Sequence, residues 1–196
     1  CITDGILFGS ENRIYKYDYK KRSFKSINIK KQEDKGSDVT KYRVQKIIAF
    51  SEREALVATR RDGVYVLDYQ TMRLKRLFSG SNNILQGAYL SSNGYIYLSF
   101  WGQGLFCYEK TGKFIKRYTK ENSDLTNNYV LDIVEKEGFL WLATDGGGIN
   151  RLELSNENFS NLYHIAGDKN SLPVNSVTIL YKDENEGLWA GSVRGG

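Results

Sequence analysis

A glycine-closed hairpin, repeated at nearly constant spacing, is what most limits the folds open to this chain. Its clearest copy is GFLWLATDGGGINRL, from Gly138 to Leu152. A short strand of large apolar residues ends at Thr144, meets a glycine-rich turn, and a second strand leaves with alternating side chains. Gly146, Gly147 and Gly148 can take φ > 0 without a Cβ penalty, which tight hairpins demand. Aligned on the closing glycine, further copies are ALVATRRDGVYVL (Gly63), YIYLSFWGQGLFCY (Gly104) and GLWAGSVRGG (Gly196). A degenerate first copy, GILFGSENRIYKY, has Arg13 where the glycine would stand. The intervals are 50, 41, 44 and 48 residues. A period of about 40 to 50 residues with several strands per unit indicates the blades of a β-propeller.

The strands around each hairpin fill in the unit. RVQKIIAFSE, ALVATR, GVYVLDY and RLKRLFS read as four successive strands; ILQGAYLSS, YIYLSF, GLFCYEK and KFIKRYT repeat them, as do NYVLDIVEK, FLWLAT, GINRLEL and NFSNLYHI. Second strands are nearly all apolar, as burial on both faces requires. Fourth strands alternate, as in Leu74, Arg76, Phe78 and Phe114, Lys116, Tyr118, the period-2 signature of an edge strand with one wet face. The expectation is an all-β chain, a β-propeller of four-stranded antiparallel blades with about four and a half blades present. Its units are approximately 1–30, 42–79, 84–119, 128–165 and 175–196 of a single partial propeller, with a polar surface loop at 30–41. Because repeat folds need closing or capping units, the chain is expected to be part of a longer one.

Composition narrows the chemistry. Aromatic residues make up 13% and there is one proline, which fits strands. No apolar run approaches the ~18 residues of a membrane helix, and the charged N-terminus lacks the apolar core of a signal peptide. Cys107 lies in an alternating strand and reads as a small core residue; Cys1 reads as a fragment boundary or a lipid-modified N-terminus. With His164 the one histidine, neither a Cys/His zinc site nor a Ser-His-Asp arrangement has support, and no metal or cofactor is expected. Carboxylates cluster in turns such as KDENEG (182–187) and VEKEG (134–138), where turn formation explains them. TDGGG is not followed by a helix that could cradle phosphate. Residues 1–78 hold 18 basic against 10 acidic side chains, and 79–196 hold 10 against 13. The polar 30–41 stretch has no interleaved aromatics for base stacking, so nucleic acid is not expected as a partner.

NSVTILYKDENEGLWAGS and NNYVLDIVEKEGFLWLATDGGGINRLEL resemble the two-component regulator propeller repeat, and DKNSLPVNSV and ENSDLTNNYV resemble the linker before its first strand. The early units depart from it: Leu56 and Tyr97 replace the strand tryptophan and Arg13 the hairpin glycine. The resemblance implies the periplasmic sensor region of a Bacteroides-type hybrid two-component regulator. There, two propellers of about seven blades each precede a β-sandwich, a membrane helix and a histidine kinase. It further implies a homodimer, contacts with the remaining blades and a second propeller, and no enzymatic activity in this region.

In a propeller the hairpin turns and inter-unit linkers gather on one face. Here they bring Arg60, Arg61 and Asp62; Trp101 and Gln103; Asp145; Arg194; and the linker amides Asn82, Asn83, Asn127, Asn128 and Asn175. An exposed aromatic beside amide and guanidinium groups suits sugars, whose C–H faces stack while hydroxyls hydrogen-bond. The expected ligand set is Trp101, Arg60, Arg61, Gln103, Asp145, Asn128, Asn175 and Arg194, for an oligosaccharide. Arg60 and Arg61 point to an acidic one, since arginine pairs carboxylate or sulfate bidentately. Trp141 and Trp189 sit within strands and are expected in the core. The alternatives are a protein-interaction scaffold without a small ligand and, further off, a glycan-active enzyme.

Overall fold

The computed structural model describes residues 5–29, 42–79, 83–185 and 187–193; the 30–41 segment expected as a surface loop lies outside them. Among the described residues every regular element is a strand, and no helix is long and apolar enough to cross a membrane. The chain divides into two compact units, Cys1–Leu85 and Gln86–Gly196.

The first unit holds β1 (Gly5–Gly9), β2 (Arg13–Asp18) and β3 (Ser23–Asn28) in a three-stranded meander. A four-stranded one follows, from β4 (Val44–Ala49), β5 (Glu54–Thr59), β6 (Gly63–Asp68) and β7 (Arg73–Ser79). Ile14, Ile29, Tyr42, Val57, Tyr65 and Leu67 close the core between these two sheets. The opposite face of the first sheet bears Phe8 stacked on Tyr15 at 5.1 Å and Tyr17 against Phe24 at 4.8 Å.

The second unit continues the order. β8 (Leu85–Leu90), which begins at the boundary, forms a four-stranded sheet in chain order with β9 (Tyr95–Phe100), β10 (Gly104–Glu109) and β11 (Phe114–Tyr118). β12 (Val130–Lys136), β13 (Phe139–Thr144), β14 (Gly148–Glu153) and β15 (Phe159–Leu162) form the next sheet, and β16 (Val177–Lys182) and β17 (Leu188–Ser192) a hairpin. Tyr97, Leu105, Cys107 and Tyr118 of one sheet pack on Leu140, Leu142 and Leu152 of the next. Burial pushes the Cys107 thiol up, as befits the core residue read from the sequence.

Three first strands, β4, β12 and β16, are bulged near their start, at Val44/Lys46, Val130/Asp132 and Val177/Ile179. A bulge increases local twist, so the same device recurs in three units. Within the second unit the bulged Asp132 is buried and its Oδ2 accepts the Leu180 amide at 3.1 Å, which ties one sheet to the following hairpin.

Two expectations are corrected. Trp189 is 65% exposed rather than in the core. Its indole Nε1 donates to Asp183 Oδ2 at 2.8 Å across the β16–β17 turn, and no further sheet covers that face among the described residues. Trp141, its counterpart in the preceding sheet, does pack against the Ile149, Val177 and Leu180 cluster. His164 lies beyond the edge strand β15, which ends at Leu162; its amide donates to Asn175 Oδ1 at 2.6 Å.

Candidate functional site

Hairpin turns need their backbone polar groups satisfied, and the sequence supplies a threonine for the task. Thr59, the last residue of β5, donates Oγ–H to the Gly63 carbonyl at 2.7 Å and accepts the amides of Gly63 and Asp62. Thr144, the last residue of β13, donates likewise to the Gly148 carbonyl at 2.8 Å. Gly146 and Gly148 take positive φ; Gly147 does not, but an added Cβ there would lie 2.7 Å from both Asn127 Cβ and Thr144 Oγ.

In the first unit the β5–β6 turn carries Arg60, Arg61 and Asp62. The Asp62 side chain is only 8% exposed. It accepts the Tyr65 hydroxyl and, at 2.8 Å, Arg76 Nη2, and Arg76 lies 5.2 Å over the Tyr65 ring. Burial, then the Asp62 acceptor, pushes the Tyr65 phenol far above its ordinary value. The Asp62 carboxylate is thus held in an ion pair with Arg76. Arg60 is half-buried; its amide donates to Arg43 O at 2.8 Å and its carbonyl accepts the Leu85 amide at 2.9 Å. Arg61 beside it is half-buried too.

In the second unit two of the expected residues, Trp101 and Asp145, are linked through Tyr129. Trp101, 47% exposed at the β9–β10 turn, meets the half-exposed Tyr129 ring edge-to-face at 5.0 Å between centroids. Gly102 between strand and turn has φ +66, and a Cβ there would lie 3.3 Å from the Tyr129 ring. The Tyr129 carbonyl accepts the Asp145 amide at 3.0 Å. Asn127 closes the arrangement: its Oδ1 accepts the Tyr129 amide at 2.8 Å and its Nδ2 donates to the Asp145 carbonyl at 2.7 Å. Ser176 donates Oγ–H to Asp145 Oδ1 at 2.6 Å. Trp101, Tyr129 and Asp145 therefore lie side by side on an exposed turn surface, with Asp145 fixed through its main chain on both sides.

Gln103 is engaged: Arg117 donates Nε to its carbonyl at 2.7 Å and Nη2 to its Oε1 at 3.0 Å. Asn128 and Asn175 occupy equivalent linker positions and do equivalent work. The Asn128 carbonyl accepts the Gly104 amide at 2.8 Å and its Oδ1 the Lys120 amide at 2.9 Å. The Asn175 carbonyl accepts the Gly146 and Gly148 amides, and its Oδ1 that of His164. Each linker asparagine thus clamps the preceding hairpin and the preceding edge strand at once. Arg194 and Asn82 lie outside the described residues. Sequence reasoning missed Tyr129 and Ser176. The signal for Tyr129 was an aromatic placed directly after a linker asparagine pair and before an apolar strand.

Antiparallel meander sheets that follow one another in chain order among the described residues define a β-propeller repeat chain of about four blades. The model of the two component regulator propeller family matches residues 124–146, which cover the end of the linker, β12, β13 and the start of the Asp145 turn. Among solved structures it is similar to the extracellular domain of what is described as the hybrid two component system BT3049 from B. thetaiotaomicron. The TM-score is 0.74 and the identity 18%, over 98% of this chain and 26% of that one. The extracellular domain described as the one component system BT4673 of the same organism gives 0.73 and 17%, over 98% and 25%. The computationally designed Ika8 protein gives 0.64 and 13%, over 97% and 53%. The chain thus spans about a quarter of the length of the two extracellular domains. No curated protein matches it.

Proposed function

We propose that the chain is part of the extracytoplasmic, ligand-reading region of a two-component regulator and that it recognises an oligosaccharide on the Trp101–Tyr129 surface. The observation that carries the reading is this exposed aromatic pair, Trp101 on the β9–β10 turn and Tyr129 in the linker before β12, edge-to-face at 5.0 Å and joined through the Tyr129 carbonyl to Asp145. Aromatic rings at a fixed angle offer apolar area to sugar C–H faces at little entropic cost, and adjacent polar groups fix orientation. The repeat match and the likeness to extracellular domains of two-component systems support the location and the signalling role. The signal would pass to a kinase through a dimer whose two arrangements bind the ligand unequally.

Thermal unfolding of the complete extracytoplasmic region against a panel of oligosaccharides tests this. A ligand at a hundredfold excess over its Kd adds about 2.7 kcal/mol, and Trp101→Ala removes the shift. No shift with any glycan sinks the reading and favours a protein-interaction scaffold on the same face.

A further inference from the structure

Independently of the sugar reading, we infer that the exposed face of the β16–β17 hairpin is an interaction surface for a further sheet of this repeat in the same polypeptide. That sheet sits on the hairpin in the register that the hairpin itself takes on the β12–β15 sheet.

The second unit contains the pattern for this contact. The hairpin packs on the β12–β15 sheet through Val177 and Leu180, which meet Ala143, Ile149, Val134 and Trp141. In that sheet Asp132 pairs with Ala143 and Val134 with Trp141; in the hairpin Ile179 pairs with Gly191 and Tyr181 with Trp189. Both first strands shift register just before these pairs, so Ile179, Tyr181 and Trp189 occupy the places of Asp132, Val134 and Trp141. Asp132 is buried and Val134 and Trp141 are partly buried beneath the hairpin. Ile179, Tyr181 and Trp189 are 57%, 61% and 65% exposed. Alternation along β16 puts Leu180 in the core and its neighbours Ile179 and Tyr181 on the opposite face. Three large apolar side chains together on one open sheet face mark a contact surface.

The chemistry of the face fits that occupant. In both copies the indole N–H is satisfied within its own hairpin: Trp141 Nε1 donates to the Lys136 carbonyl at 3.3 Å and Trp189 Nε1 to Asp183 Oδ2 at 2.8 Å. The Trp189 ring is thereby held in place, and what it still offers a partner is apolar area. The two junctions differ at one point. Asp132 Oδ2 accepts the Leu180 amide across the first junction, whereas Ile179 offers no acceptor there, so the covering sheet meets an apolar surface throughout. The hairpin's own complement to such a face, its Val177–Leu180 side, is already buried on Ala143 and Ile149, so a second copy of the chain does not present it.

The experiment is hydroxyl-radical footprinting of the complete extracytoplasmic region, without sugar, read residue by residue by mass spectrometry. Trp189 should oxidise roughly tenfold more slowly than the exposed Trp101, since packed interface cores exclude water, and Tyr181 should match the buried Tyr97. Trp189 oxidised as fast as Trp101 overturns the inference. Protection that disappears on dilution assigns the face to a second copy and overturns it too. The register is read from two variants, by urea unfolding of the same region. Ile179→Asp recreates the carboxylate that Asp132 offers to a covering strand, whereas Ile179→Lys buries an ammonium with no acceptor in that pattern. Ile179→Asp should therefore lower the unfolding midpoint less than Ile179→Lys. On an open strand, or under an unrelated partner, aspartate has no such advantage and is the poorer strand former. A loss for Ile179→Asp equal to or larger than that for Ile179→Lys overturns the assignment of a repeat sheet. Neither outcome depends on whether a glycan binds at Trp101.

Discussion

Asn150 and Thr126 hold each other by a reciprocal pair of hydrogen bonds: the Thr126 amide donates to Asn150 Oδ1 at 2.8 Å, and Asn150 Nδ2 donates to Thr126 Oγ at 2.8 Å. Asn150 is wholly buried in β14, and Thr126 belongs to the preceding linker. The Thr126 hydroxyl also donates to the Gly147 carbonyl at 2.7 Å. One buried amide therefore anchors both the hairpin turn that presents Asp145 and the linker that presents Asn127 and Tyr129. A buried polar group left unpaired costs about 1–3 kcal/mol. Asn150→Leu orphans the Thr126 amide, so it should lower unfolding stability by about 2 kcal/mol in urea titrations. Thr126→Val leaves the amide pair intact and should cost less. Equal losses would show that the side-chain amide is not the anchor.

Glycines of the turns separate two kinds of constraint. Gly148 has φ +72, and an added Cβ would run into the Leu162 carbonyl oxygen of the edge strand; Gly138 has φ +78 with nothing within 4 Å. Left-handed backbone costs a residue with a Cβ about 1–2 kcal/mol, and a backbone collision comes in addition. Gly138→Ala should therefore lower stability by about 1 kcal/mol, and Gly148→Ala by about 3 kcal/mol or more. Similar effects at the two sites would mean that the β14–β15 approach relaxes freely.

The architecture was legible because it is a matter of period. Apolar second strands, alternating fourth strands and a recurrent glycine all follow from pleat and turn chemistry, and each places its residues without knowledge of the neighbours. Exposure of individual tryptophans was not legible. Trp141 and Trp189 occupy the same place in the repeat, yet one packs on the following strands and the other is 65% exposed; the difference lies in what covers the face. The placement of the turn and linker residues was legible in part. Trp101 stands out because the other copies carry Arg61, Asp145 or Val193 near that place, whereas Asn128 and Asn175 look like ligand amides in the sequence and accept backbone amides in the structure. Short polar side chains serve turns and ligands equally well, and only the geometry tells which.

The linker clamp makes its own prediction. Asn175 Oδ1 accepts the His164 amide at 2.6 Å, and His164 Nδ1 lies 2.8 Å from the Leu172 carbonyl. Asn175→Ala removes the first contact but keeps the carbonyl that receives Gly146 and Gly148. Loss of one partly exposed hydrogen bond should cost about 1 kcal/mol. Amide hydrogen exchange of His164 should accelerate at least tenfold while that of Gly148 stays close to wild type. Acceleration at Gly148 alone would show that the side chain supports the hairpin rather than the edge strand.

The turn between β16 and β17 links acid stability to a single carboxyl. Asp183 accepts Trp189 Nε1 at 2.8 Å and the Gly187 amide at 2.6 Å, and these contacts, the indole first, hold its carboxyl below the ordinary 3.8. Both donors favour the ionised form. The contribution is therefore complete at neutral pH, declines as pH falls through the unfolded-state value, and is gone below the depressed folded value. Asp183→Asn should reduce stability more at pH 7 than at pH 3, where wild type has begun to lose the contribution. Trp189→Phe should do the same to a lesser degree, since the Gly187 amide remains. Urea midpoints at the two pH values read the difference directly. A loss in Asp183→Asn that is equal at pH 7 and pH 3 would mean that the turn is held by its backbone and not by the charge.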